Sequence, residues 1–503
     1  MGYHVKDREA YRKVTDAFKQ QQKGATVADI AAQTSLPLHT VRELVPAVAD
    51  EYSGRFEVTE SGEICYSFPR GFTSKYRGFR AGLRKFTEKF IKGMKILSQW
   101  VFKVWIMVML VGYFAIFMLI ALAALVLSFA ASSTNSNSRS ESRGGGIGGL
   151  YFASSIFNLI IRIWFFSELT KSMDRSVDSR YDSRNRRQPK GQPLYKAIFS
   201  FVFGENPQGK AASSLSAKVT QVIIAYIQAN QGVISLPEFM MLTGLPPEKA
   251  EAAITTCCVE FGGSPEASEE GTVVYRFEEL LLRADKRDRS FGGSVPLKGL
   301  KKFSTNPKKM NIWFSIINGV NLIFGSYFLF NAFTTGAILT QVQFDAASYL
   351  YKITYLLSTS LADNPLPIIT VGLGIIPLIF SLLFWFIPLL RYLFMHGDNE
   401  AIKLENLRKV GYRRIWSKPQ EVKNDDIQAD LPECRPKNLS AAQDQVIKEM
   451  GSYAIPEVKV DDRGVPVYSF GELEREKEAL ARYRSGINPE ASSLGETVFD
   501  SDG

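Results

Sequence analysis

Reactive and metal-binding side chains are scarce in this chain of 503 residues, which holds four cysteines and three histidines. Cys65, Cys257, Cys258 and Cys434 show no ligand spacing among themselves or with His4, His39 and His396, so no metal site is expected. Adjacent Cys257-Cys258 falls in a helical pattern where small apolar residues pack, and a cytosolic placement argues against disulfides. A phosphate-cradling loop is missing: Gly144-Gly145-Gly146 follows no strand and lacks the Lys-Ser/Thr that would hold a nucleotide. A Gly-x-Ser-x-Gly elbow is missing too. These absences leave no catalytic residue and no cofactor to name, and the chain reads as a non-enzyme. The first residues lack an apolar core behind a basic start, so no cleaved secretory signal is expected. Lys6 stands where a myristoylation motif wants Ser or Thr.

Charge is absent from long stretches. Val104 to Ala131 is 28 residues without one charged side chain. As a helix it would reach roughly 40 Å, beyond the hydrocarbon core of about 30 Å. Further apolar runs at 150–169, 311–340 and 366–390 bring the expected spans to four, with 104–131 as the first. Residues 341–365 are apolar but carry Asp345, Lys352 and Asp363, which reads as an amphipathic segment at the outer face, with a re-entrant segment as the alternative.

The distribution of Lys and Arg orients these spans. Residues 70–103, ahead of the first span, hold ten Lys/Arg against Glu88 alone. The basic arm 71–103 therefore belongs inside, and the Ser/Asn/Gly-rich loop 132–149 outside. Basic linkers at 170–212 and 283–310, and Arg391 to Arg414 after the last span, place both termini in the cytoplasm of a bacterial inner membrane. Much of the formal charge of +9 is thus juxtamembrane, where it attracts the anionic inner leaflet.

Between the apolar runs a phrase recurs: Gly62-Tyr66-Phe68, Gly271-Tyr275-Phe277 and Gly464-Tyr468-Phe470. Each closes a similar module. In residues 1–70 a helix over 8–22 leads to Thr26-x-x-Asp29, a capping-box opening for a second helix. A third helix follows with Val41, Leu44, Val45 and Val48 on one face, then two alternating strands around Ser61-Gly62. Helix, helix, helix, hairpin is the winged-helix order. Residues 213–282 repeat it from Leu215, with Ser235-x-x-Glu238 as the second opening. Residues 399–473 repeat it more loosely, with Ala401–Ile415, 420–428 and Ser440–Met450 as helices and a wing in which Val458 and Val460 face Val465 and Val467. Residues 474–503 read as a polar tail.

Winged helices suggest DNA, but the charge has the wrong sign. Residues 24–69, 215–280 and 420–470 carry net charges of −5, −6 and −4. A duplex is a dense line of phosphates, and binding it needs Lys/Arg on the third helix and wing. Here those elements hold Glu43, Asp50, Glu57, Glu60 and Glu63 in the first copy, and Glu251, Glu260, Glu266, Glu269 and Glu270 in the second. Nucleic acid is disfavoured as a partner, and contact with a cytosolic protein through the third helix or wing is favoured.

Within the spans, Arg162, Glu168, Asn318, Asn321 and Asn331 are the polar residues that hydrocarbon should exclude. Arg162 and Glu168 lie toward the cytoplasmic half and can snorkel, while Asn318 and Asn321 share a face beside Gly319 and Gly325 and suit close helix packing. Gly372, Gly374, Pro377 and Pro388 would interrupt the last span. Broken helices also occur in transporters, yet four spans without an inverted repeat make a thin scaffold for alternating access unless a second copy joins.

Tyr195-Lys-Ala-Ile-Phe-Ser-Phe-Val-Phe-Gly204, the unit ending Val274-Tyr-Arg-Phe277 and the two spans after it resemble a family of multi-pass membrane proteins of cyanobacteria, plastids and other bacteria. The resemblance covers about residues 195–390. It implies a membrane protein without assigned activity and with no catalytic residues to carry over. Some plastid relatives bear a name linked to iron–sulphur cluster assembly, which the scattered cysteines do not support. The Phe-rich stretch 198–203 reads as an amphipathic segment on the inner leaflet. The expected molecule is an α-helical membrane protein with four transmembrane helices and three cytoplasmic α+β winged-helix-like domains, acting as a scaffold or adaptor. A membrane-tethered transcriptional regulator and a small-solute transporter are the alternatives.

Overall fold

The computed structural model describes residues 7–21, 24–69, 71–73, 94, 97–133, 193–204, 215–284, 295–334, 348–488 and 494–501. The expected span at 150–169 lies outside them, as do most of the loop 132–149, the arm 71–103 and the linker 170–212. The chain is mostly helical and divides into two units. A modular unit gathers Met1–Thr87, Pro207–Lys301 and His396–Gly503, and an apolar unit gathers Glu88–Asn206 and Lys302–Met395.

In the modular unit the first repeat is α1 (Arg8–Gln20), α2 (Val27–Thr34), α3 (Leu38–Tyr52), β1 (Arg55–Thr59) and β2 (Ile64–Ser67). Local chemistry explains each boundary. Asp7 caps α1 by accepting from the Glu9 and Ala10 amides, and Ala10, Val14, Ala17 and Phe18 form its buried stripe. Thr26 and Asp29 close the anticipated capping box on α2. The helices α2 and α3 stop at Ser35 and Ser53, both in the left-handed region. The second repeat is α4 (Ala217–Ala229), β3 (Val233–Ser235), α5 (Leu236–Thr243), α6 (Pro247–Phe261), β4 (Ser264–Ala267) and β5 (Val273–Arg276), with sheet order β3-β5-β4. Ser235 and Glu238 form its capping box.

The third repeat departs from expectation in three ways. Its first helix is not a separate element: α7 (Ile376–Ser417) runs unbroken from the expected last span, because residues 391–400 hold no proline and one glycine, too little to stop a helix. Its second helix shrinks to a single 3-10 turn, Asn424–Asp426, ahead of α8 (Leu439–Tyr453). In its hairpin of β6 (Glu457–Val460) and β7 (Pro466–Ser469), Val458 and Val460 stand opposite Tyr468 and Pro466, not opposite valines. The turn decides this register: the Asp461 carboxylate accepts from the Arg463 and Val465 amides and Gly464 takes a φ of +77°.

The stretch read as a polar tail also folds. Helix α9 (Gly471–Ser485) buries Leu473, Ala479 and Leu480, and β8 (Thr497–Asp500) adds to β1, giving the sheet β2-β1-β8. Buried side chains of all three repeats, such as Phe18 and Val45, Phe239 and Ile254, and Tyr412 and Val446, belong to one continuous core. Large apolar side chains buried this way contribute roughly 1.5–3 kcal/mol each.

The apolar unit contains helices long and apolar enough to cross a membrane. Among the described residues three qualify: Leu97–Leu127, Lys308–Thr334 and Ile368–Ser417, the last only in its first part. Two carry π-helical turns, at Val108–Gly112 and Ile368–Ile375. The Phe-rich helix Leu194–Phe203 packs into the apolar unit. Its Ile198, Phe201 and Val202 are buried, and Phe201 lies 5.4 Å from Phe384 and 6.1 Å from Phe314, ring to ring. The helix Tyr349–Ser358, in the stretch read as external and amphipathic, buries Tyr351 and Ile353, and Tyr351 joins a cluster with Phe117 and Phe328.

Candidate functional site

The signature residues build the modules. Gly62, Gly271 and Gly464 take φ values of +80°, +82° and +77° in the hairpin turns, and open space surrounds each. Tyr66, Tyr275 and Tyr468 pair through the backbone with Ala25, Ile234 and Val422. In every copy that partner directly precedes the N-cap of the second helical element, Thr26, Ser235 or Lys423. The tyrosine thus ties the wing to the second helix. Phe277 and Phe470 are fully buried, and Phe68 meets Phe18 edge-on at 5.0 Å. None of the nine signature residues is positioned as a ligand.

The distinctive polar chemistry lies one step away, on the capping acids. Asp29 and Glu238 each close a capping box, Asp426 accepts from the Lys423 amide at 3.1 Å, and each of the three also meets an arginine: Arg283 at 3.6 Å, Arg484 at 2.6 Å and Arg414 at 3.2 Å. The first two arginines come from the segment that follows the next module. After the second wing, Leu282 accepts from the Thr26 hydroxyl at 2.7 Å and the Ala284 amide donates to Asp29 at 2.9 Å. After the third wing, α9 brings Arg484 to Glu238 and to the Val233 carbonyl, Tyr483 to Glu266, and Arg482 to Glu270. The first and second modules are each clasped by the segment that follows the next one.

Around Glu238 the network is buried. Tyr226 donates to it at 2.7 Å, opposite the Arg484 guanidinium. Nearby on α9, Glu476 accepts from the Tyr453 hydroxyl at 3.1 Å. Burial, reinforced by the charge of Glu238 and opposed by the Tyr453 hydrogen bond, pushes the Glu476 carboxyl up to about 7. Sequence reasoning missed Arg484 and Glu476 because both fell in the charged stretch read as tail. The alternation of Leu473, Ala479 and Leu480 with charges was the available signal.

Two lysines of the basic linker are engaged within the modular unit. Asn406, fully buried, accepts from the Lys298 amide and donates to its carbonyl, and Asn399 does the same for Lys301. Lys298 pairs with Glu405 and Lys301 with Asp398, each at 2.6 Å. The third helices α3, α6 and α8, the elements expected to meet a partner, partly meet each other: α6 packs against both α3 and α8. Exposed on the unit remain Glu248 and Glu251 on α6 and the wing acids Glu60, Glu269, Glu270 and Glu457.

The intramembrane candidates divide. Arg162 and Glu168 lie outside the described residues. Asn318 and Asn321 are fully buried; the first donates to the Ser381 carbonyl at 2.9 Å and the second to the Leu110 carbonyl at 2.8 Å. Leu110 sits in the π-helical turn, where a backbone carbonyl lacks its regular partner. Gly325 lets the backbone of Leu378 approach, since an added Cβ would lie 3.2 Å from its nitrogen. A depression lined by Phe201, Ile312, Ile316, Gly319 and Trp385 is open and apolar.

Chemistry is sparse elsewhere. No cluster of three or more His, Cys, Asp or Glu able to hold a metal occurs among the described residues. Burial pushes the thiols up, Cys257 to about 12 and Cys65 and Cys258 to about 11, away from the reactive thiolate. Cys257 and Cys258 are packed in the core of α6.

The chain is similar to an uncharacterized chloroplastic protein of Arabidopsis thaliana, 23% identical over 423 residues, which cover 81% of this chain and 73% of that protein. No protein-family description matches the chain, and no solved structure does.

Proposed function

We propose that this chain is a membrane-embedded scaffold that presents three linked, acidic winged-helix-like modules to cytosolic protein partners. The run 150–169 supplies a fourth span, and both termini face the cytoplasm of a bacterial inner membrane, as the basic flanks require. One observation carries the reading: the three modules share a continuous core and clasp one another through Asp29–Arg283 and Glu238–Arg484. Such a body is a single acidic platform. Three independent reading heads for a duplex would need separate, basic third helices, whereas α6 is packed against α3 and α8 and exposes Glu248 and Glu251.

The test is crosslinking in intact membranes followed by purification of the full chain in detergent. A reproducible soluble protein attached to the modular unit is the expected result. Recovery of no such protein, or salt-sensitive duplex binding by the purified chain at physiological ionic strength, overturns the scaffold.

A further inference from the structure

The three wings are equivalent in build but not in what happens to their outer strands. Strand β4 of the second wing contains Pro265, which removes a donor, and its Glu266 is held by Tyr483 of α9. Strand β6 of the third is uncovered, and all four of its residues are exposed. Strand β1 of the first pairs with β8, from the far end of the chain.

That added strand is attached mainly through its backbone. The Glu60 amide donates to the Glu496 carbonyl at 2.9 Å, the Ser501 amide to the Phe56 carbonyl at 3.1 Å, and the Ser61 amide to the Leu494 carbonyl at 3.3 Å. Side chains add three longer hydrogen bonds, from the Phe56 amide to the Ser501 hydroxyl at 3.2 Å, from the Glu496 amide to the Glu60 carboxylate at 3.3 Å and from the Thr497 hydroxyl to the Glu57 carboxylate at 3.4 Å, while apolar contact is slight. All four residues of β8 are exposed, with Val498 at 69%, and only Phe499 finds an apolar neighbour, Phe56, at 6.1 Å. Acids outnumber bases on both strands. Residues 489–503 carry Glu490, Glu496, Asp500 and Asp502 and no Lys or Arg, while the wing carries Glu57, Glu60 and Glu63 against Arg55. Like charges across paired strands weaken the pairing, and opposite charges strengthen it.

We propose that the outer edge of β1 is a strand-addition docking site, held in cis by the acidic tail and taken over by a basic, extended segment of a partner protein. For the partner this rests on the scaffold reading; the exchangeable edge itself does not. Backbone hydrogen bonds supply generic affinity for any extended segment, and the exposed Phe56 ring favours an apolar side chain at the place of Phe499. Lys or Arg at the places of Glu496 and Asp500 would face Glu60 and Glu57. The tail competes because its tether keeps it at millimolar effective concentration.

Fluorescence anisotropy on a labelled peptide of residues 494–503 tests this, using the full chain and a chain ending at Asn488, both in detergent. The peptide is expected to bind the shortened chain and to bind the full chain at least tenfold more weakly. A peptide with E496K should bind the shortened chain roughly twofold more tightly at low salt. Glu60→Pro in the shortened chain should abolish binding: it removes the donor to the strand yet suits the second position of the turn that Gly62 closes onto Thr59. Unchanged melting of that variant separates lost docking from lost folding. No binding to the shortened chain, or equal binding to both chains, overturns the proposal. Peptide exchange without any crosslinked cytosolic protein would sink the scaffold and leave the docking edge standing.

Discussion

Arg484 reaches Glu238 at 2.6 Å across 246 positions of sequence, and their ion pair locks the third module's trailing helix onto the second module. Both side chains are largely withdrawn from water, so the pair is worth most when complete. Arg484→Met should leave the Glu238 carboxylate partly unpaired and cost about 3–5 kcal/mol. Adding Glu238→Gln to that variant should recover part of the loss, which thermal unfolding of the four-member cycle would measure.

Glu476 makes the same helix sensitive to pH. Its folded carboxyl is raised from the ordinary range up to about 7, so between those values the folded protein holds a proton that the unfolded chain has released. Stability contributed by that proton is present in acid and is lost as pH rises through about 7. Glu476→Gln should keep the hydrogen bond to Tyr453 and remove this dependence. Its melting temperature should match the parent's near pH 5 and exceed it at pH 8.

Glycines of the second wing should respond in an order opposite to their conformational oddity. Gly271 has a φ of +82° but open space around it, so Gly271→Ala should cost about 1 kcal/mol of backbone strain. At Gly263, in an ordinary conformation, an added Cβ would overlap the ring of buried Phe277. Gly263→Ala should therefore cost about 1–3 kcal/mol from overpacking. Chemical unfolding of the two variants side by side would decide. Gly54 against Phe68 is the same arrangement in the first module.

In the apolar unit, Asn321→Leu should leave the Leu110 carbonyl of the π-helical turn without its donor. Interhelical hydrogen bonds of this kind are worth about 0.6 kcal/mol on average and up to about 1.7. A lowered unfolding midpoint in mixed detergent, by an amount in that range, is the expected outcome.

Much of the fold is legible in the order of residues. The boxes Thr26–Asp29 and Ser235–Glu238, the helical stripe Val41-Leu44-Val45-Val48 and the turn glycines depend on neighbours within a few residues, and they form as their spacing implies. Three of the four apolar runs are helices of spanning length, and the fourth lies outside the described residues. The register of β6 on β7 misled because β6 buries neither face, so no burial pattern fixes it, and the Asp461 turn set the pairing.

The sequence by itself determined the modules: local hydrogen bonds and periodic burial act over three or four positions, so the residues that make them can be read in order along the chain. Only the tertiary structure decided what joins them. Nothing near Asp29 announces Arg283, nothing near Glu238 announces Arg484, and a tail of acids and small residues shows no sign of lying along β1. Those partners are brought together by the shared core, whose contacts are specified by the shape of the packed modules and not by separation along the backbone.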